Sequence, residues 1–129
     1  MNMRLGLDFH GVLDKYPEIF SNLTKILYVY GWEIHIITGQ SIDEGFLQKL
    51  HSYEINYTHL FSIVDHHKEI GTEIHYDEKG PWINEDLWNR TKAEYCEKAG
   101  IDLHIDDSDV YGKFFTNTVY FQINKNKGL

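Results

Sequence analysis

Short apolar runs alternate with longer segments of helical periodicity along most of the chain. The runs are rich in β-branched and aromatic residues, which favours strands. They lie at about 3–8, 33–38, 59–65, 101–107 and 118–123. The second run, EIHIIT, is apolar enough to be buried on both faces, as the strands of parallel sheets are.

Three segments between these runs predict helices, at about 16–31, 41–50 and 84–99. Ser41 and Asn84 are suitable N-cap residues, and Gly31 and Gly100 are suitable stops. Apolar positions recur at helical spacing in each segment. Those predicted to face the core are Ile19, Leu23, Ile26, Leu27 and Tyr30, then Ile42, Phe46, Leu47 and Leu50, then Leu87, Trp88, Tyr95 and Cys96.

The segment 66–83 lacks clear helical periodicity. Its second part alternates around Gly80-Pro81, which predicts a small hairpin inserted at about 72–83. Strands that alternate with helices predict an α/β fold with a doubly wound, mostly parallel sheet. The length of 129 residues suits a single domain over 1–129, ending in a polar tail, NKNKGL.

Composition narrows the class of protein. The formal net charge is -8 and no cluster of Lys and Arg interrupts the acidity, which argues against an extended nucleic-acid surface. No apolar run approaches the ~20 residues of a membrane span, and the first residues do not resemble a secretory signal. The one cysteine, Cys96, cannot form an internal disulfide. We therefore expect a cytoplasmic protein without a membrane partner.

Polar residues follow four of the predicted strands. They are Asp8, Thr38-Gly39, Asp65-His66 and Asp106-Asp107. Because ligands of such sheets bind at the carboxyl ends of the strands, we expect these residues to lie near one another. Aspartates brought together repel, so a cation is expected between them, and oxygen ligands suit Mg²⁺.

An anion is expected at the same edge. Thr38 offers a hydroxyl and Gly39 an unobstructed backbone N–H. Lys92, on the predicted helix before the strand at 101–107, offers a positive charge. Taken singly, each feature has an ordinary explanation: a turn-forming aspartate, a Thr-Gly turn, a solvated lysine. Only the whole set, in this order along the chain, indicates a particular class of site.

That ordered set resembles the haloacid dehalogenase superfamily of phosphohydrolases. LDFHGVLD (7–14) is similar to its first motif, IHIITG (34–39) to the strand of its second, and TKAEYC (91–96) supplies a lysine for the third. LHIDDS (103–108) resembles the paired-aspartate form of the fourth. The resemblance covers nearly the whole chain and implies a phosphohydrolase of small, capless type with an open site.

The resemblance also implies roles for individual residues. Asp8 matches the nucleophile that forms a phosphoaspartate. Mg²⁺ would be held by Asp8, the backbone carbonyl of His10 and the pair Asp106 and Asp107, of which we favour Asp107 as the closer ligand. Thr38 and Gly39 would bind the phosphate oxygens, and Lys92 would offset the negative charge of the phosphate and of Asp8. The implied substrate is a small phosphomonoester, such as a nucleotide or a terminal phosphate.

His10 departs from the family pattern, because the residue two positions after the nucleophile is usually a second aspartate. That aspartate protonates the leaving oxygen and then activates water. Imidazole can donate and accept protons near neutral pH, so His10 can replace it. The alternative is a catalytically silent module that binds a phosphorylated ligand or a partner protein.

Several residues outside this set have alternative interpretations. IVDHH (63–67) resembles the signature of the Asp-His-His phosphoesterases, a minor alternative function; otherwise His66 and His67 are expected in a loop over the site or in solvent. Trp82 and Trp88 could stack on a base, although core or hinge packing is favoured.

Three further residues are interpreted as packing residues. His35 and His104 alternate within strands and are expected to pack beside a helix, and Cys96 is expected in the core.

Overall fold

The computed structural model describes residues 2–124. Its strands are β1 (Arg4–Leu7), β2 (Glu33–Thr38), β3 (His59–Ser62), β4 (His75–Asp77), β5 (Gly80–Trp82), β6 (Leu103–Asp106) and β7 (Val119–Gln122). Its helices are α1 (Pro17–Val29), α2 (Glu44–Ser52), α3 (Ile63–Glu69) and α4 (Glu85–Ala99). The polar tail from residue 125 onwards lies outside the described residues.

Five strands form one parallel sheet in the order β3-β2-β1-β6-β7. This order confirms the predicted α/β fold with a parallel sheet and places β1 at its centre, between β2 and β6. The chain winds outward in one direction from β1 to β3, and then crosses back to β6. The strand order therefore reverses between β1 and β6, which is where ligands of open parallel sheets bind.

Alternation along the central strands sends apolar side chains to both faces of the sheet. Leu5, Leu7 and Ile34 pack with α1 and α2 on one face, in the larger core cluster. Ile37 packs on the other face with Cys96 of α4. Helices on both faces explain why β1 and β2 are almost entirely buried.

The predicted hairpin is present, as β4 and β5 form a separate two-stranded antiparallel sheet. It lies between α3 and α4 in sequence. Within residues 2–124, no helix combines the length and the apolar character needed to cross a bilayer.

The apolar face predicted for α1 was partly wrong. Ile19, Ile26 and Tyr30 are 61%, 55% and 77% exposed, whereas Phe20 and Thr24 are buried. The buried stripe includes a polar position because the Thr24 hydroxyl donates to the Phe20 carbonyl at 2.6 Å, which satisfies it inside the core. A periodicity judged on hydrophobicity alone therefore selected a neighbouring face.

Two smaller errors concern α2 and α4. Asp43, not Ser41, caps α2, since its carboxylate accepts the N–H of Phe46 at 2.8 Å. Leu47 and Leu87 are about two-fifths exposed instead of buried.

The third strand is shorter than predicted. It ends at Ser62, whose hydroxyl accepts the N–H of Asp65 at 3.0 Å and so caps α3. Asp65 and His66 consequently lie in a helix and not at a strand end. The apolar residues Ile63 and Val64 continued the strand-like run in sequence, which concealed the change to helix.

Candidate active site

Asp8 directly follows β1 at the carboxyl edge of the sheet, and its N–H donates to the Ile105 carbonyl of β6 at 3.0 Å. A tight turn, Phe9–Leu13, follows it. Gly11 adopts a φ of +78°, and a Cβ at this position would collide with the Asp107 carboxylate. A glycine is therefore required to bring this turn against the end of β6.

Lys92 of α4 lies between two aspartates. Its Nζ donates to Asp8 Oδ1 at 2.7 Å and to Asp106 Oδ2 at 2.9 Å. Lys92 is 2% exposed and Asp106 is fully buried. A solvated surface lysine is thereby excluded, and the three side chains form a buried triad with one positive charge for two carboxyl groups.

Asp106 is the more firmly held of the two carboxylates. Its Oδ2 also accepts from His104 Nε2 at 2.9 Å, and its Oδ1 accepts the N–H groups of Asp107 and Ser108 at 2.8 and 3.1 Å. Burial alone would raise the pKa of Asp106, but the hydrogen bond from His104 and the charge of Lys92 outweigh it and lower the pKa.

Asp8 is the carboxyl group that retains a proton more readily. Burial raises the pKa of Asp8 to about 7, against the lowering effect of Lys92 and with a further contribution from the Asp106 charge. Burial would lower the pKa of Lys92, but the two carboxylates outweigh it and raise the pKa, so the lysine remains charged. A carboxyl group whose pKa is raised in this way, at the sheet edge where ligands bind, is typical of catalytic centres.

Three carboxylates at this edge can approach one cation. One oxygen from each of Asp8, Asp106 and Asp107 lies within 4.8 Å of the others. Carboxylate oxygens are the ligands that hard cations take in proteins, so these three residues could hold one. Both oxygens of Asp106 already accept hydrogen bonds, so a cation bound by Asp106 would have to share them.

The predicted anion-binding pair lies at the end of β2, beside β1. Thr38 is fully buried, and its hydroxyl accepts the N–H of Gln40 at 3.4 Å. A Cβ on Gly39 would lie 2.7 Å from Cζ2 of Trp88, so the glycine allows the indole to pack against the backbone. Both residues therefore shape the turn next to Asp8.

His10 lies on the outer side of the turn, and about two-thirds of its side chain is exposed. Its Nδ1 donates to Asp14 Oδ2 at 3.1 Å, and its Nε2 lies 2.7 Å from Gln40 Oε1. Asp14 also accepts the N–H of Gly11 at 2.7 Å. A carboxylate that orients an imidazole is an arrangement suited to acid–base catalysis.

Several contributors to the site were missed in the sequence. Tyr111 lies over Lys92, with Nζ 5.2 Å from the ring centroid, and its hydroxyl accepts from Trp88 Nε1 at 2.9 Å. Asp14 and Gln40 hold His10, and His104 donates to Asp106. Only Asp14 had a signal in sequence, as the acidic residue four positions after His10; the others depend on tertiary contacts.

A second group of potential metal ligands lies at the opposite end of the sheet. Glu33, His35 and His59 bring one ligand atom each within 4.8 Å of the others. The two imidazole rings stack in parallel with centroids 4.1 Å apart. Because a metal binds in the plane of an imidazole ring, parallel rings cannot share one ion, so this group is a stacked pair instead of a chelating site.

His35 and His104 pack beside aromatic side chains, as expected for buried strand residues. His35 Nδ1 lies 2.7 Å from the Tyr95 hydroxyl of α4, and His104 stacks on Phe115. Burial lowers the pKa of both imidazoles, so both are neutral at neutral pH. Burial also raises the pKa of the Cys96 thiol to about 12, which is consistent with its predicted place in the core.

The expectation for His66 and His67 was wrong. Both lie on α3, and His67 is buried, with its ring nitrogens 2.8 Å from the hydroxyls of Thr72 and Thr91. Asp65 accepts the N–H of Ile42 at 2.9 Å. These contacts assign Asp65 and His67 to packing and give no support to an Asp-His-His metal site.

Trp82 is 51% exposed, which contradicts core packing for this residue; its role in a hinge stays a prediction. Trp88 is half-buried against Gly39 and Tyr111.

Comparison of the chain with protein-family models, with curated proteins and with solved structures gave no match.

Proposed function

We propose that this protein is a Mg²⁺-dependent phosphohydrolase of the haloacid dehalogenase type, which hydrolyses a small phosphomonoester through a phosphoaspartate. The observation that carries the proposal is the buried Asp8–Lys92–Asp106 triad, with Asp107 beside it, at the point where strand order reverses. Burying two carboxylates around one lysine costs hydration energy and adds little stability, so we take this cluster as a sign of function.

Asp8 is the nucleophile in this proposal. Its carboxylate oxygen attacks phosphorus, the bond from phosphorus to the leaving oxygen breaks, and a phosphoaspartate forms. Lys92 holds Asp8 in place and offsets negative charge as the phosphoryl group approaches. Asp8 and Asp107 would hold Mg²⁺, which supplies charge stabilisation for the phosphate.

His10 is the acid–base group. With Nδ1 bonded to Asp14, its Nε2 is oriented toward Gln40 and the edge of the site. It gives a proton to the leaving oxygen and later takes one from the water that releases inorganic phosphate from Asp8. Thr38 and Gly39 provide the hydroxyl and the backbone N–H for the phosphate oxygens.

The first test is phosphate release from a panel of phosphomonoesters, with and without Mg²⁺. Asp8→Asn is expected to abolish release and to retain the fold, because the amide keeps the shape of the side chain and loses its charge. Asp109→Asn, an exposed aspartate three residues after Asp106, is the matched control and is expected to keep full activity. Unchanged turnover in Asp8→Asn would assign Asp8 a structural role.

A second candidate function is a silent module that binds phosphorylated ligands. The observation in its favour is that imidazole replaces the second aspartate, and that about two-thirds of this ring is exposed to solvent. Binding of phosphate esters with no release of phosphate from any compound would favour this module over the enzyme.

A further inference from the structure

Trp82, at the end of the hairpin, lines two grooves. One groove of about 360 Å³ is bounded by Pro81, Trp82, Ile83, Glu85 and Trp88. A larger groove of about 600 Å³ is also lined by Trp82, together with His75 and Asn84. Both volumes lie in the range of small-molecule sites, and exposed tryptophan rings in such grooves are suited to stack on flat ligands.

The smaller groove adjoins the candidate active site through Trp88. The indole of Trp88 packs against Gly39, whose N–H is proposed to hold the phosphate. Its Nε1 donates to Tyr111, which lies over Lys92, and Lys92 contacts Asp8. A phosphate held at Gly39 would therefore place its ester group beside Trp88 and the groove.

The charges around the grooves restrict what the ester group can be. Glu85 lines the smaller groove and Glu73 the larger one, and no lysine or arginine lines either groove among the described residues. Further phosphates would meet carboxylates without a compensating cation. A polyphosphate chain or an oligonucleotide backbone is therefore disfavoured, and a single phosphate is favoured.

We infer that the substrate is a monophosphate that carries a flat ring system, such as a nucleoside monophosphate, and that the ring stacks on Trp82 and Trp88. This inference rests on the proposed function and names its substrate class. The phosphorus–oxygen bond to the nucleoside breaks, the Asp8 oxygen bonds to phosphorus, and the leaving oxygen takes a proton from His10. Water then releases inorganic phosphate.

The test compares kcat/KM for nucleoside monophosphates, glycerol phosphate and a 5′-phosphorylated oligonucleotide in the presence of Mg²⁺. Stacking of one base on an aromatic ring is worth a factor of about ten to a hundred, so the nucleoside monophosphate is expected to exceed glycerol phosphate by at least about tenfold. Trp82→Ala is expected to remove most of this preference, and Trp82→Phe to restore it.

Tyr76→Ala is the matched control, because Tyr76 is an exposed aromatic residue of the same hairpin that lines neither groove. It is expected to behave as the wild type. Equal kcat/KM for nucleoside monophosphate and glycerol phosphate, or a preference for the oligonucleotide, would overturn the inference and leave the proposed function intact.

A binding measurement decides the inference if no compound is hydrolysed. Titration calorimetry with a nucleoside monophosphate is expected to show about tenfold weaker binding to Trp82→Ala than to the wild type. Equal affinities, or no binding to either protein, would overturn the stacking inference. Absence of hydrolysis together with Trp82-dependent binding would overturn the proposed enzyme alone.

Discussion

The two ends of the parallel sheet each carry a cluster of ionisable side chains, and the clusters differ in burial. At the carboxyl end, Asp8, Lys92 and Asp106 are all at most 6% exposed. At the amino end, Glu33 is one-third exposed and pairs with the buried His35, whose Nε2 donates to it at 2.9 Å. At both ends, acidic side chains bond to basic ones, but only the carboxyl end keeps charged groups away from water.

This difference is the reason that we propose a function for the cluster at the carboxyl end and a structural role for the one at the amino end. A buried charged triad is weak evidence for stability, because the loss of hydration offsets most of the attraction between its members. At the amino end, His35 is buried but neutral and Glu33 stays in contact with water, so this pair loses less hydration. Residue types alone do not distinguish the two clusters, whereas position and burial do, since the buried cluster lies where strand order reverses.

The largest expected effect comes from removing the central cation of the carboxyl end. Lys92→Met leaves two buried carboxyl groups without their counter-charge, and we expect a loss of about 3–5 kcal/mol in the free energy of unfolding at neutral pH. Urea unfolding measures it. Lys98→Met, an exposed lysine on the same helix, is the control and is expected to change stability by less than about 0.5 kcal/mol. A similar small loss for Lys92→Met would contradict the buried triad.

The next effect concerns the pH dependence of stability in metal-free protein. The pKa of Asp8 is raised from 3.8 to about 7, so between these values the folded protein binds a proton that the unfolded chain has released. The contribution of Asp8 to stability is therefore present at low pH and is lost as the pH rises through about 7.

Asp8→Asn removes this dependence. We expect the variant to be more stable than the wild type near pH 8, by on the order of 2–4 kcal/mol, with the difference disappearing toward about pH 4. Thermal unfolding across this range in the presence of a chelator measures it. A wild type that gains stability relative to Asp8→Asn as the pH rises would show that the Asp8 carboxylate is stabilised by its surroundings.

A smaller effect is expected at His10, which lies outside the buried triad. His10→Ala is expected to lower turnover by about a hundredfold or more while substrate binding survives, because proton transfer contributes about 10²–10⁴-fold. One limb of the pH–rate profile should disappear. His51→Ala, an exposed histidine on α2, is the control. A variant that matches the wild type in rate and profile would favour the silent module.

The smallest effect is expected at the amino end. Glu33→Gln is expected to cost at most about 1 kcal/mol at neutral pH, because the pair with His35 is partly exposed. Burial lowers the pKa of His35, so the unfolded chain binds more protons just below pH 6.5 and this imidazole favours folding less as the pH falls. Urea unfolding near neutral pH measures the effect of Glu33→Gln. A loss above about 3 kcal/mol would mean that the pair at the amino end is as costly to break as the buried triad.

Much of the fold was predictable because hydrophobic periodicity reports which faces of an element are buried. The continuous apolar run of β2 indicated burial on both faces, and the parallel sheet has it. The failures occurred where polar groups are satisfied locally: Thr24 is buried because it bonds to its own helix, and Ser62 ends a strand by capping α3. Periodicity does not report such hydrogen bonds.

The sequence by itself did not reveal α3, but it determined the order of the five strands of the sheet, the helices α1, α2 and α4, the hairpin and the polar residues near the strand ends, since all of these depend on local spacing. It therefore indicated Asp8, Lys92, Asp106 and Asp107 as one set. Only the tertiary structure decided that Lys92 bridges Asp8 and Asp106, because this requires α4 to pack over the sheet from 84 residues away in sequence. The orientation of His10 and the exposure of Trp82 were decided in the same way. Burial and long-range hydrogen bonds set the pKa values and the shape of a site, and neither is encoded in local spacing.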